Sequence, residues 1–280
     1  MDEEGVSVWP AVAGGAIALA LAVALWPRGA QAVTRGDSAY RPGTTGSEFL
    51  ASLEGMGLRE REEATVRAVA AGAVPGVFGE YVPVEVRSRG RVGVFWAAPW
   101  HLAVGTDDDP FHAPLTAPAA QRAADALGQA LPTRAMVDAI RASGRFERLP
   151  FRAFPPSAGH RSPATYAASS SAIERDRAGR RSPLYGYAKD YVVTNLRRGR
   201  EGRIGIYGGW DGAGRVIQQV EGLPHDTGHV DYSQKPRLVA SVVSVDGVEM
   251  PLSAALADPA VAHLFSDEGA IPVELQRYPT

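Results

Sequence analysis

At 280 residues and 45% apolar content the chain is long enough for one large domain or two small ones with a sizeable core. A formal charge of −2 argues against a general nucleic-acid binder, and the basic runs "RDRAGRR" and "NLRRGREGR" are Gly-containing, solvated loops. The absence of cysteine excludes disulfides, thiolate zinc sites, iron–sulfur clusters and cysteine nucleophiles, so a metal would need His, Asp or Glu ligands.

The amino terminus carries a long uncharged apolar run, residues 11–26. As a helix it would measure roughly 24 Å at ~1.5 Å per residue, short of the ~20 residues of a usual span. Ala30 and Ala32 follow with the small-x-small spacing of a signal cleavage site. The preceding "MDEEGVS" is acidic where a signal peptide is basic, and Arg28 and Arg35 lie after the run. The expectation is export: residues 1–32 as a signal peptide or membrane anchor, with membrane contact through residues 8–27 if uncleaved. An inverted anchor with a cytoplasmic body is the competing orientation. Residues 33–46, polar with Gly and Pro, are expected to be a tether.

Residues 47–280 are expected to form a single α+β domain, with helices mainly in the amino-terminal half and an antiparallel or mixed sheet in the carboxyl-terminal half. Ser47 is placed to cap a first helix bearing Phe49, Leu50 and Leu53, and a second helix, "LREREEATVRAVAAG", ends at Gly72 or Gly76. Two strand-like runs around "SRGR" predict a hairpin, and "HLAVGT" a short strand running into "DDDP". Thr116 predicts the N-cap of the next helix, and a further one carries Met136, Val137 and Ile140. The stretch 153–183, poor in large apolar residues, reads as a long loop with one helix over 165–177, looser than its flanks. Four strands follow, "KDYVVTNL", "RIGIYGGW", "RVIQQVEG" and "PRLVASVVSVDG", and the short helix "PLSAALADPAVAHLF" closes the pattern.

The densest chemistry lies in "GLPHDTGHVDYSQ", which holds two of the six histidines. His225 and His229 have helical i, i+4 spacing, but Pro224 and Gly228 oppose a helix, so the zinc-protease analogy fails on context. In a loop, His229 next to Asp231 suits an imidazole oriented by a carboxylate, as a general base requires. A divalent metal held by His and Asp, and a plain polar turn, remain open beside it. Lys189 and Asp190 stand at the mouth of an apolar strand, as electrostatic support or as a strand-end ion pair. Lys189 and Lys235 are the only lysines among 29 basic residues, so an ammonium at 189 is a marked choice. "IYGGWD" offers Tyr207 and Trp210 as a stacking platform for a sugar or peptide, with Asp211 as a polar contact or a turn residue. Tyr232 and Arg237 complete the candidate substrate-binding set. Asp107, Asp108, Asp109 and His112 form an acidic run without the spacing of a calcium loop.

The succession "HLAVGTDDDPF", "LPTRAMVDAI", "KDYVVTN", "IYGGWD", "HVDYSQKPRLV" and "LFSDEG" resembles a family of exported bacterial proteins of uncharacterised activity, over most of residues 80–270. The resemblance implies an exported location and no particular reaction. The pattern has a histidine after the Trp of "IYG" and another after the Ser of "DYS", where this chain has Asp211 and Gln234. If those histidines were ligands or bases, their loss implies altered or absent activity here.

Two expectations follow. One is an exported hydrolase of cell-envelope or extracellular polymer, with His229, Asp231 and His225 as acid/base or metal groups and Lys189 and Asp190 in support. The other is a non-catalytic envelope module that binds a glycan or protein. His229 is expected to face a shared pocket with Asp231 and Lys189, with His225 the more exposed histidine.

Overall fold

The structure, a computed structural model, describes residues 39–155 and 159–280. The apolar run at 11–26, Ala32 and the first part of the tether lie outside the described residues. Among the described residues no helix is long and apolar enough to cross a membrane. The end of the tether is already folded. Tyr40 is buried, packs edge-on against Phe49 at 5.2 Å, and its hydroxyl lies 3.0 Å from Ser52 Oγ.

Six α-helices and mainly antiparallel sheets make the described chain α+β. Helix α1 (Gly46–Ser52) is capped by Thr45 rather than Ser47, because Glu48 closes a capping box on Thr45. Ser47 lies inside the first turn, where its amide donates to Asp109 Oδ2 at 3.1 Å. Helix α2 (Leu58–Ala70) stops at Gly72, which takes the left-handed φ of 78° that ends a helix. Helix α3 (Ala117–Ala126) starts after Thr116 as expected, but the Thr116 side chain makes no cap bond. The cap comes from α2, where buried Glu62 accepts the Thr116 amide at 2.5 Å. Helix α4 (Arg134–Ala142) buries Met136, Val137 and Ile140 and is capped by Thr133.

The stretch expected to be mostly loop holds α5 (Pro163–Arg177), longer than anticipated. Its buried face uses Thr165, Tyr166, Ser169, Ser170, Ala172, Ile173 and Arg177. Small and hydroxylated side chains let the helix pack closely, so few large apolar residues are needed.

The larger sheet draws on both halves of the sequence, which corrects the expected division. Strands β1 (Val82–Ser88) and β2 (Arg91–Ala97) form the anticipated hairpin around Arg89 and Gly90, both left-handed. β2 pairs with β11 (Val239–Val245), which pairs with β12 (Val248–Pro251) at one end and with β5 (Gln129–Ala130) at the other. Two-residue pairs are formed by β3 (Val104–Gly105) with β4 (Pro110–Phe111), and by β6 (Glu147–Arg148) with β7 (Leu184–Tyr185), the latter parallel. Helix α6 (Leu252–Ala257) follows β12 directly.

The second sheet is β8 (Lys189–Val192), β9 (Gly205–Trp210) and β10 (Val216–Gln218), with β9 in the middle. The outer edge of β8 is covered by residues 233–235, which run parallel to it. Lys189 N donates to Ser233 O at 2.8 Å, and Lys235 N donates to Lys189 O at 3.3 Å. The chain then enters β11. This segment therefore joins the two sheets and brings Asp231 beside Lys189.

Candidate functional site

The loop 225–229 is a docked turn. Its first residue accepts from Ile204 N at 3.2 Å through His225 O, and Thr227 N donates to Gly202 O at 2.9 Å. Asp226 closes the turn by accepting from Gly228 N at 2.9 Å with its side chain and from His229 N at 3.0 Å with its carbonyl. The buried Tyr191 hydroxyl reaches His229 O at 3.3 Å from below. The imidazoles of His225 and His229 then stack, 3.7 Å between centroids and 14° from parallel. Both histidines are half-buried, and the loop that carries His225 is held by these bonds.

His229 Nε2 lies 3.9 Å from Asp231 Oδ2, with their side chains 20% and 17% exposed, so a solute can reach both. Arg161 NH2 lies 3.5 Å from His229 Nδ1, because Tyr232 N bonds His160 O and holds that segment against the site. Asp231 Oδ1 is fixed by the Ser233 amide at 2.7 Å and hydroxyl at 2.6 Å, which leaves Oδ2 to the histidine. Lys189 extends over the Phe151 ring at 5.6 Å on this side of β8.

Charge is unevenly distributed here. Burial raises the Asp231 carboxyl, but hydrogen bonds from Ser233 and the Lys189 charge outweigh it and leave it below the usual carboxylate value. Burial lowers His229, and His225 adds to this, against Asp231. His225 is lowered by burial and then by Lys189, and Lys189 itself is lowered by burial against Asp231. At neutral pH the site holds two neutral imidazoles beside an ionised carboxylate. Among the described residues no three His, Asp or Glu side chains are grouped as a bound cation requires. A parallel stack also keeps two imidazoles from converging their nitrogens on one ion.

Asp190 does not belong to this cluster. Successive residues of a strand face opposite sides, and Asp190 turns inward from Lys189, so the expected ion pair between them does not form. There it faces His101 Nε2 at 3.1 Å and accepts the Arg237 amide at 3.1 Å. The Arg237 guanidinium donates to Ala98 O and Leu184 O, both at 2.7 Å, and to His101 Nδ1 at 3.2 Å. Since arginine only donates, His101 Nδ1 is the acceptor and Nε2 carries the proton toward Asp190. Burial, with Arg237 second, lowers His101 to about 4. Nearby, His112 bonds Glu174 at 2.9 Å, and Tyr187 sits edge-on to both His101 and His112. Apart from the half-buried Glu174 these groups are buried, and Arg237 cannot contact a substrate.

The expected platform is likewise corrected. Tyr207 and Trp210 close over Val137, Val192, Val220 and Leu223 in a small apolar cluster, and Tyr207 donates to Asp138 Oδ1 at 2.8 Å. Left-handed Gly208 and Gly209 turn Trp210 inward; a Cβ at Gly208 would meet its ring at 3.1 Å. Asp211 binds its own turn, accepting from Ala213 N and Arg215 N at 2.9 Å each. Tyr232 is buried, its oxygen accepting Phe154 N at 2.9 Å. Gln234, in contrast, lies within the site and accepts the Asp231 amide at 2.5 Å. The acidic run is divided among structural tasks: Asp109 at α1, Asp107 on Val77 N at 3.0 Å, and Asp108 beside Arg181 at 3.3 Å.

Sequence reasoning did not single out Arg161, Ser169, His101, Glu174 or the buried position of Lys235. His101 carried a usable signal, a lone polar residue after the apolar run "VFWAAPW". Arg161 carried none, since its place depends on a contact made with Tyr232, far along the chain. No family model matches the sequence, and neither a curated protein nor a solved structure matches it.

Proposed function

We propose that the chain is an exported, envelope-associated hydrolase of cell-envelope or extracellular polymer, with His229 as general base oriented by Asp231. The observation that supports this reading is the meeting of a neutral imidazole and an ionised carboxylate, 3.9 Å apart and both open to solvent. Lys189 and Arg161 bring positive charge to the same cluster, suited to a polarised carbonyl or a developing anion. His225 holds the His229 ring by stacking. The export assignment rests on the apolar run and the spacing of Ala30 and Ala32.

The test is release of soluble fragments from dye-labelled cell-wall and extracellular polymers. His229→Ala and Asp231→Asn should each lower turnover by on the order of 100-fold or more, with the thermal midpoint nearly unchanged for His229→Ala. His225→Ala should cost less than His229→Ala. A parent protein inert on such polymers, but retained by one of them through His229 and Lys189, would instead establish a binding module. The engagement of Asp231 Oδ1 by Ser233 favours that second reading.

A further inference from the structure

Two cations beside His229 are matched by no carboxylate. Lys189 is half-buried, its Nζ 5.6 Å from the centre of the Phe151 ring, and that ammonium makes no hydrogen bond or ion pair among the described residues. The exposed Arg161 guanidinium has a single polar contact there, at 3.5 Å from His229 Nδ1. Arg61 adds positive charge behind it, donating to Arg161 O at 3.3 Å and Met56 O at 3.0 Å rather than to a carboxylate. Asp231 answers none of them, since Oδ1 is taken by Ser233 and Oδ2 faces His229 at 3.9 Å. Asp226, the other carboxylate near the histidines, accepts Gly228 N within its own turn. By contrast, Arg152 finds Asp176 and Arg177 finds Glu174. The charges of Lys189 and Arg161 both act on His225 and His229, so they share one face of the protein.

We infer that this face takes an acidic glycan, with Lys189 and Arg161 holding its anionic groups, carboxylate or phosphodiester, beside His229. A half-buried ammonium without an acceptor has given up part of its water and gained no partner, and an anionic oxygen supplies one. The planar fork of Arg161 can take two oxygens of one group, and the Lys189 ammonium adds a compact point charge. The ring nitrogens of His225 bond to nothing among the described residues, so the neutral imidazole has an N–H to offer the same ligand. A neutral glycan would cover the ammonium without matching it, so the site discriminates by charge. Naming this glycan as a substrate rests on the hydrolase reading above; its binding does not.

The test measures binding to the parent protein by isothermal titration calorimetry at neutral pH. The probes are polygalacturonate oligomers, the same oligomers with their carboxyls reduced to alcohols, and a glycerol-phosphate polymer. An acidic probe should bind, more weakly as salt is raised, and the reduced oligomers should bind it at least about 10-fold less well. The preferred acidic probe tells carboxylate from phosphodiester. Lys189→Met and Arg161→Gln should each weaken binding by about 10-fold, and Lys189→Arg should retain most of it. Asp231→Asn removes the negative charge beside the ligand and should tighten binding, while abolishing any hydrolysis. Failure of both acidic probes to bind overturns the proposal. So does equal affinity for an acidic probe and the reduced oligomers, or unchanged affinity in Arg161→Gln. Arg161 is exposed, so its variant reads the proposal even if Lys189→Met does not fold. Charge-dependent binding without release of fragments upholds this assignment and removes the hydrolase reading alone.

Discussion

Replacing Asp190 by Ala removes the acceptor that faces His101 and the Arg237 amide, and leaves the Arg237 cation buried with only neutral acceptors. Truncating one member of such a buried network costs about 3–5 kcal/mol. The expected result is a large fall in the denaturant midpoint, far exceeding that of His229→Ala at the surface. His101 makes a separate prediction. Its imidazole is neutral when folded, held down to about 4, whereas an unfolded chain protonates it near the ordinary 6.5. Stability is therefore fully present above pH 6.5 and declines as the pH falls toward 4, where the folded form also takes the proton. The loss is about 3 kcal/mol at ~1.4 kcal/mol per pH unit. His101→Gln, followed by denaturant titration at several pH values, should flatten that slope. At the outer site His229 is also lowered, so the acid limb of any polymer-hydrolysis profile should lie below pH 6.5.

Helix ends show how much of each element is local. Thr45 with Glu48, and Gly72 at the end of α2, are stop and start signals contained in a few neighbouring residues, and the "SRGR" hairpin likewise follows from its own turn. The cap of α3 is different, because Glu62 reaches it from another helix. Glu62→Ala should cost about 1–2 kcal/mol, as for a lost N-cap, measured as a fall in chemical-denaturation free energy. The helix α5 was legible over 165–177, two residues short of its observed start at Pro163; its packing was not, because it has no large apolar stripe and its buried small side chains become visible only when its neighbours are known. Its end is pinned by Arg177, 2% exposed, which stacks over Trp100 at 4.7 Å and donates to Asp107 O and Arg180 O. Native trypsin digestion should therefore cut slowly after Arg177, and Arg177→Ala should speed cleavage along this stretch. The pairing of residues 233–235 with β8 was not legible for the same reason: the two segments are far apart in sequence and neither carries a turn signal for the other.

On the scale of the molecule, the export assignment predicts that protein made in a secreting host begins at Val33, as read by amino-terminal sequencing. Retention of residues 11–26 in the mature chain would indicate an anchor. Within the folded part, residues 231–237 impose a different constraint, on which lengths of chain are permitted. Asp231 serves the outer cluster, Lys235 a buried bond to Ser169 and Arg237 the buried network, while residues 233–235 between them stay in register with β8. One extra residue in this stretch would misplace at least one of the three groups, since a strand-like segment turns each side chain over with every step. An inserted glycine after Ser233 should thus yield insoluble protein. The same insertion at Gly212, an exposed turn position with open space around it, should be tolerated with little change in thermal midpoint.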